Sequence, residues 1–145
     1  MRKLGTLLSR EKIPEIYIEM ALTFDNDFDV NTITRELGIQ PTECEQRFQT
    51  RINPITKQQN PGYWLIKSKT VVGYYAEEAI DDIISIIEGK IELIRKICVE
   101  HSGEVNFCVV PSFHKSEKPA LCFSRRFMEI AAYLNANMEI DLYVF

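Results

Sequence analysis

Ile16-Tyr17-Ile18-Glu19-Met20-Ala21-Leu22-Thr23 alternates with a period of two. Ile16, Ile18, Met20 and Leu22 point one way, and Tyr17, Glu19, Ala21 and Thr23 point the other. That is the pattern of a strand with one face on a core. The same pattern closes the chain, where Met138, Ile140, Leu142 and Val144 alternate with Glu139, Asp141, Tyr143 and Phe145. Both segments are expected in one sheet. A period-two strand must bury its apolar face, so Ile18, Met20, Ile140 and Leu142 are expected to lie together beneath helices.

Between these ends the punctuation is clear. After the acidic connection Phe24 to Asp29, Asn31 or Asp29 can cap a short helix through Leu37. Gly38 is placed to end it, and Pro41 prevents its continuation. Residues 42–62 hold Asn53-Pro54 and Asn60-Pro61-Gly62, both turn signals. So long a connection is functional or hides a short strand such as Arg47–Ile52. Tyr63–Ser68 reads as a strand. Ala76–His101 is the strongest helical segment, with Ile80, Ile83, Ile84, Ile87, Ile91, Leu93, Ile94 and Ile97 supplying its apolar face. Gly89 inside it predicts a kink or two consecutive helices. Val105 to Val110 reads as a strand and Pro111–Pro119 as a loop. Ser124 can cap a last helix through Leu134.

The two ends echo each other: strand, polar connection, capped helix, strand. The expected class is α+β in a ferredoxin-like layout. One mainly antiparallel sheet of four or five strands would carry helices on one face, with an internal β-α-β duplication. Residues 1–14 read as a loosely ordered lead-in and 15–145 as a single domain. The chain has 145 residues, enough for one sizeable core. Its hydrophobic fraction of 46 % and charged fraction of 26 % set disorder and fibrous classes aside.

No apolar run reaches membrane-span length, so no membrane association is expected. The basic, briefly apolar start lacks a long apolar run and a small-residue cleavage site, which argues against a signal peptide. Cys44, Cys98, Cys108 and Cys122 are expected as reduced thiols, and the cytoplasm is the expected compartment. The net charge of −4 speaks against a non-specific nucleic-acid binder.

Three short signatures resemble an uncharacterised bacterial family, domain of unknown function 4279. They are Ile33-Thr34-Arg35-Glu36-Leu37-Gly38-Ile39-Gln40-Pro41-Thr42, Gly62-Tyr63-Trp64-Leu65 and Ile140-Asp141-Leu142-Tyr143. Together they span about residues 16–145. The resemblance implies an intracellular bacterial protein. It carries no established reaction and no catalytic residues to transfer.

Motifs for chemistry are sparse. Cys98, His101, Cys108 and His114 do not match zinc spacings, and Cys98 and Cys108 read more plainly as small buried hydrophobes. Cys122 precedes a helix and two arginines, where a thiol pKa can fall. Its least poor partners are His114 and Glu117, but a base and its orienting group are not evident. Asp25, Asp27 and Asp29 resemble a calcium loop, yet Val30 stands where that loop needs glycine. The paired acids Glu77, Glu78, Asp81 and Asp82 read as a solvated helix face. No phosphate-cradling glycine motif is present. No catalytic residue, metal or cofactor is therefore assigned.

Two binding surfaces remain. The first is the outward face of the end strands, with Tyr17, Glu19, Glu139, Asp141 and Tyr143. Aromatics among acids suit a protein interface. The expected function is a non-enzymatic module that pairs with itself or with a basic protein, such as an immunity-type protein neutralising a toxin. The second is the basic aromatic stretch 42–70, with five cations against two carboxylates. Arg47, Arg51 and Lys67 could hold a small anion or single-stranded nucleic acid while Tyr63 or Trp64 stacks. The plainer reading makes Trp64 a core residue. An enzyme of unrecognised type is the third reading. Whether loop 42–62 covers the open face is left to the structure.

Overall fold

The computed structural model describes residues 13–145. The lead-in expected over residues 1–14 lies, up to residue 12, outside the described residues. Seven strands and four α-helices follow one another as β1 (Glu15–Phe24), α1 (Asn31–Leu37), β2 (Glu43–Glu45), β3 (Gly62–Lys67), β4 (Val71–Val72), α2 (Glu77–Ile87), α3 (Ile91–Glu100), β5 (Gly103–Phe113), α4 (Arg125–Tyr133), β6 (Asn137–Ile140) and β7 (Tyr143–Val144). They form one sheet of order β2-β3-β1-β5-β6, with β4 beside β1 and β7 beside β5. The protein is thus an α+β domain with a mostly antiparallel sheet. No helix among the described residues is long and apolar enough to cross a membrane.

β1 occupies the centre. It pairs antiparallel with β3 from Glu19↔Lys67 to Phe24↔Gly62, and with β5 along its whole length. Ile16, Ile18, Met20, Leu22 and Phe24 are all fully buried. They pack with Trp64 and Ile66 of β3, Val105, Phe107 and Val109 of β5, and the isoleucines of α2 and α3. Each such side chain contributes about 1.5–3 kcal/mol of hydrophobic burial. All four helices among the described residues contribute to this one core, so they lie on one face of the sheet. The two halves that echo in sequence differ in pairing: β2, the strand after α1, is separated from β1 by β3, whereas β6, the strand after α4, pairs directly with β5.

Local signals explain the element ends. Gly38 takes the left-handed conformation, φ 67°, and its N–H closes α1 on the Thr34 carbonyl. Gly89, φ 79°, divides the long helical segment into α2 and α3, the two consecutive helices that the glycine predicts. Ser124 caps α4 by accepting from the Phe127 N–H at 3.2 Å. The short strand expected at Arg47–Ile52 lies instead at Glu43–Glu45, and Arg47–Gln49 is a 3₁₀ turn. β5 runs on through Pro111 to Phe113, part of the stretch expected as loop.

Ser68 bridges a break. β3 ends at Lys67 and β4 resumes the pairing at Val71↔Ile16. In the gap the Ser68 hydroxyl accepts from the Ile18 N–H at 3.0 Å and donates to the Lys69 carbonyl at 2.9 Å. Ser68 is 8 % exposed.

A second break has a different cause. The β5 to β6 register, Val109↔Ile140, continues unchanged as Ser112↔Tyr143 of β7. The Val109 carbonyl accepts from the Asp141 N–H. By the alternation of a ladder, the nitrogen of Pro111 faces the same neighbour. It has no hydrogen to donate, so the ladder lapses between β6 and β7.

The burial expected for the closing strand is overturned. Ile18 and Met20 are fully buried, but Ile140 is 48 % and Leu142 56 % exposed. β6 and β7 form the sheet's edge, and a groove separates β6 from α4. The apolar side of this strand faces a groove rather than the core.

Two stability measurements check these assignments. Ser68→Ala leaves the Ile18 N–H without its partner and should cost about 1–3 kcal/mol in urea denaturation. Ile140→Asp should stay folded by circular dichroism, within about 1 kcal/mol of the parent, because its site is open to water.

Candidate functional site

The side of the sheet away from the helices takes the odd residues of β1. Register sets them in rows across the strands. Lys67, Glu19, Cys108 and Glu139 form one row, and Leu65, Ala21, Asn106 and Asn137 form the next. Tyr17 lies opposite Val110, and Asp141 comes next to Glu139 along the edge. Tyr143 and Glu15 flank Ser112. The expected interface residues Tyr17, Glu19, Glu139, Asp141 and Tyr143 therefore share one face. Glu19 and Glu139 stand two strands apart, roughly 9–10 Å at ordinary strand spacing.

The electrostatics of this face are acidic. Partial burial raises the Glu19 pKa, and Lys67 opposes that rise. Glu43, Asp141 and Glu139 each push it further up. Tyr17 is raised for the same reasons, burial first and then Glu19, with a smaller contribution from Asp141. The Cys108 thiol is pushed up to about 11 by burial and by the same carboxylates. It is a protonated thiol at neutral pH, not a nucleophile. Tyr143 donates to Asp141 at 3.1 Å, which raises the phenol and holds the carboxylate on the surface.

The basic stretch is divided by the fold. Trp64 is fully buried and donates its indole N–H to Thr34 Oγ1 at 3.0 Å. It anchors α1 to the sheet and offers no face for stacking. Arg47 lies near Asp25 at 3.5 Å and Asp27 at 3.9 Å, close enough for attraction but not for a hydrogen bond from its buried Nε. The same contact answers two acids of the calcium-like connection. The third, Asp29, accepts from the Asn31 N–H and from Gln46, and these bonds lower its pKa. Lys67 belongs to the open face, with its ammonium 5.0 Å from the centre of the Tyr17 ring.

Tyr63 and Arg51 stay together. Residues 46–61 fold beside the open face and enclose a hollow of about 600 Å³. Its floor is Ala21, Thr23 and Leu65, and its walls include Arg51, Glu43, Glu45 and Asn60. Tyr63 donates to Glu43 at 2.6 Å, and burial with that bond raises its pKa strongly. The loop thus shelters one end of the face and leaves Glu139, Asp141 and Tyr143 exposed.

The remaining candidates are scattered. Cys122 is exposed and lines a small depression with Glu77 and Asp81, not with His114. His114 lies beside Phe145, and Glu117 accepts from Tyr74 at 2.8 Å. Cys98 is buried, its thiol raised to about 11 by that burial, and His101 stacks on Phe28. Among the described residues no group of three His, Cys, Asp or Glu side chains could hold a metal ion.

Sequence reasoning missed the apolar side of the closing strand as a surface. Met138 and Ile140 line a groove of about 430 Å³ against Phe123, Met128 and Ala132. Leu142 and Val144 line a second of about 480 Å³ against Phe113 and Leu121.

No curated protein and no solved structure matches the chain. A family model does match, over residues 14–145, in agreement with the three signatures. The chain belongs to the family described as a domain of unknown function, DUF4279.

Proposed function

We propose that this protein is a non-enzymatic binding module that captures a basic protein partner on the open face of its sheet. One observation carries the reading: Glu19, Glu139 and Asp141 are gathered with Tyr17 and Tyr143 on one uncovered face. Burial first, and then the neighbouring carboxylates against the pull of Lys67, disfavour the charged form of Glu19 in the free protein, and a cationic surface would relieve that. Complementary charge also speeds encounter and rejects wrong partners. The acids favour a basic partner over a second copy, which would oppose like charges. A neutralising protein that blocks a toxin in the bacterial cytoplasm is one form of this function.

A second reading rests on the hollow beneath residues 46–61. Arg51 and Asn60 could orient a small ligand over Tyr63 and Leu65. Glu43 and Glu45 line the same space, which weakens the case for an anion or nucleic acid. A thermal-shift screen with nucleotides, oligonucleotides and simple anions tests it, since a bound ligand raises the melting temperature by mass action.

Glu19 provides a test of the main reading in the free protein. Its folded pKa lies above the unfolded value. The folded state is therefore penalised as pH rises from the unfolded pKa through the folded one, and the penalty persists at neutral pH. Glu19→Gln should raise the neutral-pH melting temperature and remove this part of the pH dependence. The same variant should weaken partner capture, a trade that a purely structural carboxylate would not show.

The partner itself can be sought by affinity capture from the native cell at low and high salt. A basic protein should be retained at low salt. It should be lost in 0.5 M salt, where the Debye length falls to about half its physiological value. Glu139→Gln with Asp141→Ala should leave the circular dichroism unchanged and reduce capture by about tenfold or more. Undiminished capture by the folded double variant would refute the proposed face.

A further inference from the structure

The free edge of the sheet carries more information than its charge. Asp141 and Phe145 donate their N–H groups inward, to the Val109 and Phe113 carbonyls of β5. The unchanged register from β6 to β7 means that the alternation has no slip. The N–H and C=O groups of Met138, Ile140, Leu142 and Val144 therefore point away from β5. Among the described residues no strand pairs with that side. The opposite edge, β2, has only three residues. Short edges are a common protection against pairing. The β6–β7 edge is longer and has no proline or lysine in residues 137–145.

The two sides of this edge differ in chemistry. Toward the helices lie the two apolar grooves, one beside Met138 and Ile140 and the next beside Leu142 and Val144. Toward the open face lie Glu139 and Asp141. Any strand added here presents its own side chains alternately to the two sides. We propose that the partner docks by strand addition on β6–β7, through an extended segment that alternates apolar and basic residues. Its apolar side chains enter the grooves and its lysines or arginines meet Glu139 and Asp141. Main-chain hydrogen bonds to the outward groups supply affinity, and the alternation supplies specificity. The acids discriminate against a second copy, because self-pairing would bring Glu139 and Asp141 against like charges. This proposal rests on the interface reading above and adds the segment's conformation and pattern.

The test uses the full chain and fluorescence anisotropy with a labelled seven-residue peptide, Leu-Lys-Leu-Lys-Leu-Lys-Leu. Two controls are the Leu-Glu counterpart and a peptide with the same composition in blocks. A third carries N-methyl groups on alternate residues, in both phases. The alternating Leu-Lys peptide should bind at least about tenfold more tightly than either unmethylated control, about 1.4 kcal/mol, and one methylation phase should lose that advantage. Ile140→Pro removes an outward N–H that β5 does not use, so the variant should fold and lose the peptide. Should it fail to fold, Ala132→Trp, which fills the first groove from an exposed helix position, decides the matter by the same loss.

Binding that survives methylation and Ile140→Pro but is lost with Glu139→Gln and Asp141→Ala overturns strand addition and leaves the open-face interface standing. No peptide binding, with capture of the basic protein still dependent on those carboxylates, does the same. No peptide binding together with capture indifferent to the carboxylates overturns both. A dimer seen by sedimentation and abolished by Ile140→Pro assigns the edge to a second copy and overturns the proposal.

Discussion

Everything in this domain is arranged around β1. Its five core-facing side chains are fully buried, and both of its edges are paired. A strand in that position must satisfy all its main-chain groups with neighbours, since no water reaches them. β3 and β5 do so for most of its length, and Ser68 and β4 complete the remainder. The helices then have one apolar floor to cover. Trp64 tightens the arrangement, because its indole reaches α1 from the strand beside β1. The glycine at 103 belongs to the same constraint: a Cβ there would collide with the ring of Phe24 across the β1–β5 pair.

The same constraint creates the opposite face. Fixing Ile16, Ile18, Met20 and Leu22 inward places Tyr17, Glu19 and Ala21 outward without further choice. Lateral pairing then gathers carboxylates distant in sequence. Glu19 and Glu139 are 120 positions apart, yet Cys108 pairs with both. Burial first and then these neighbours disfavour the charged form of Glu19, a cost borne by the free domain. Such local disagreement with the fold's stability is expected where a surface serves binding.

The edge shows how a single residue can divide a strand without misplacing it. Pro111 withholds one hydrogen bond, so β6 and β7 separate, yet the register is held on either side. The edge therefore remains straight enough to present a continuous row of outward groups. Its apolar side chains stay half-exposed, and Met138 and Ile140 meet α4 across a groove. Surface of this kind is retained in soluble proteins chiefly where something else covers it.

Period-two patterning at Ile16–Thr23 and Met138–Phe145 was enough to place both segments in one sheet. Gly38, Gly89 and Ser124 marked helix ends through chemistry that acts within a few residues. The shared face of Tyr17, Glu19, Glu139, Asp141 and Tyr143 was legible as one side of those strands, for the same reason. What the sequence could not decide was which strand is central and which is at the edge, because neighbours across a sheet are chosen by long-range pairing. That choice buried Ile18 and exposed Ile140, although the two sit in equivalent local patterns. It also enclosed Trp64, turned Lys67 onto the acidic face and separated Arg47 from Arg51. Local pattern determines which way a side chain points relative to its own strand; only tertiary pairing determines what lies on that side.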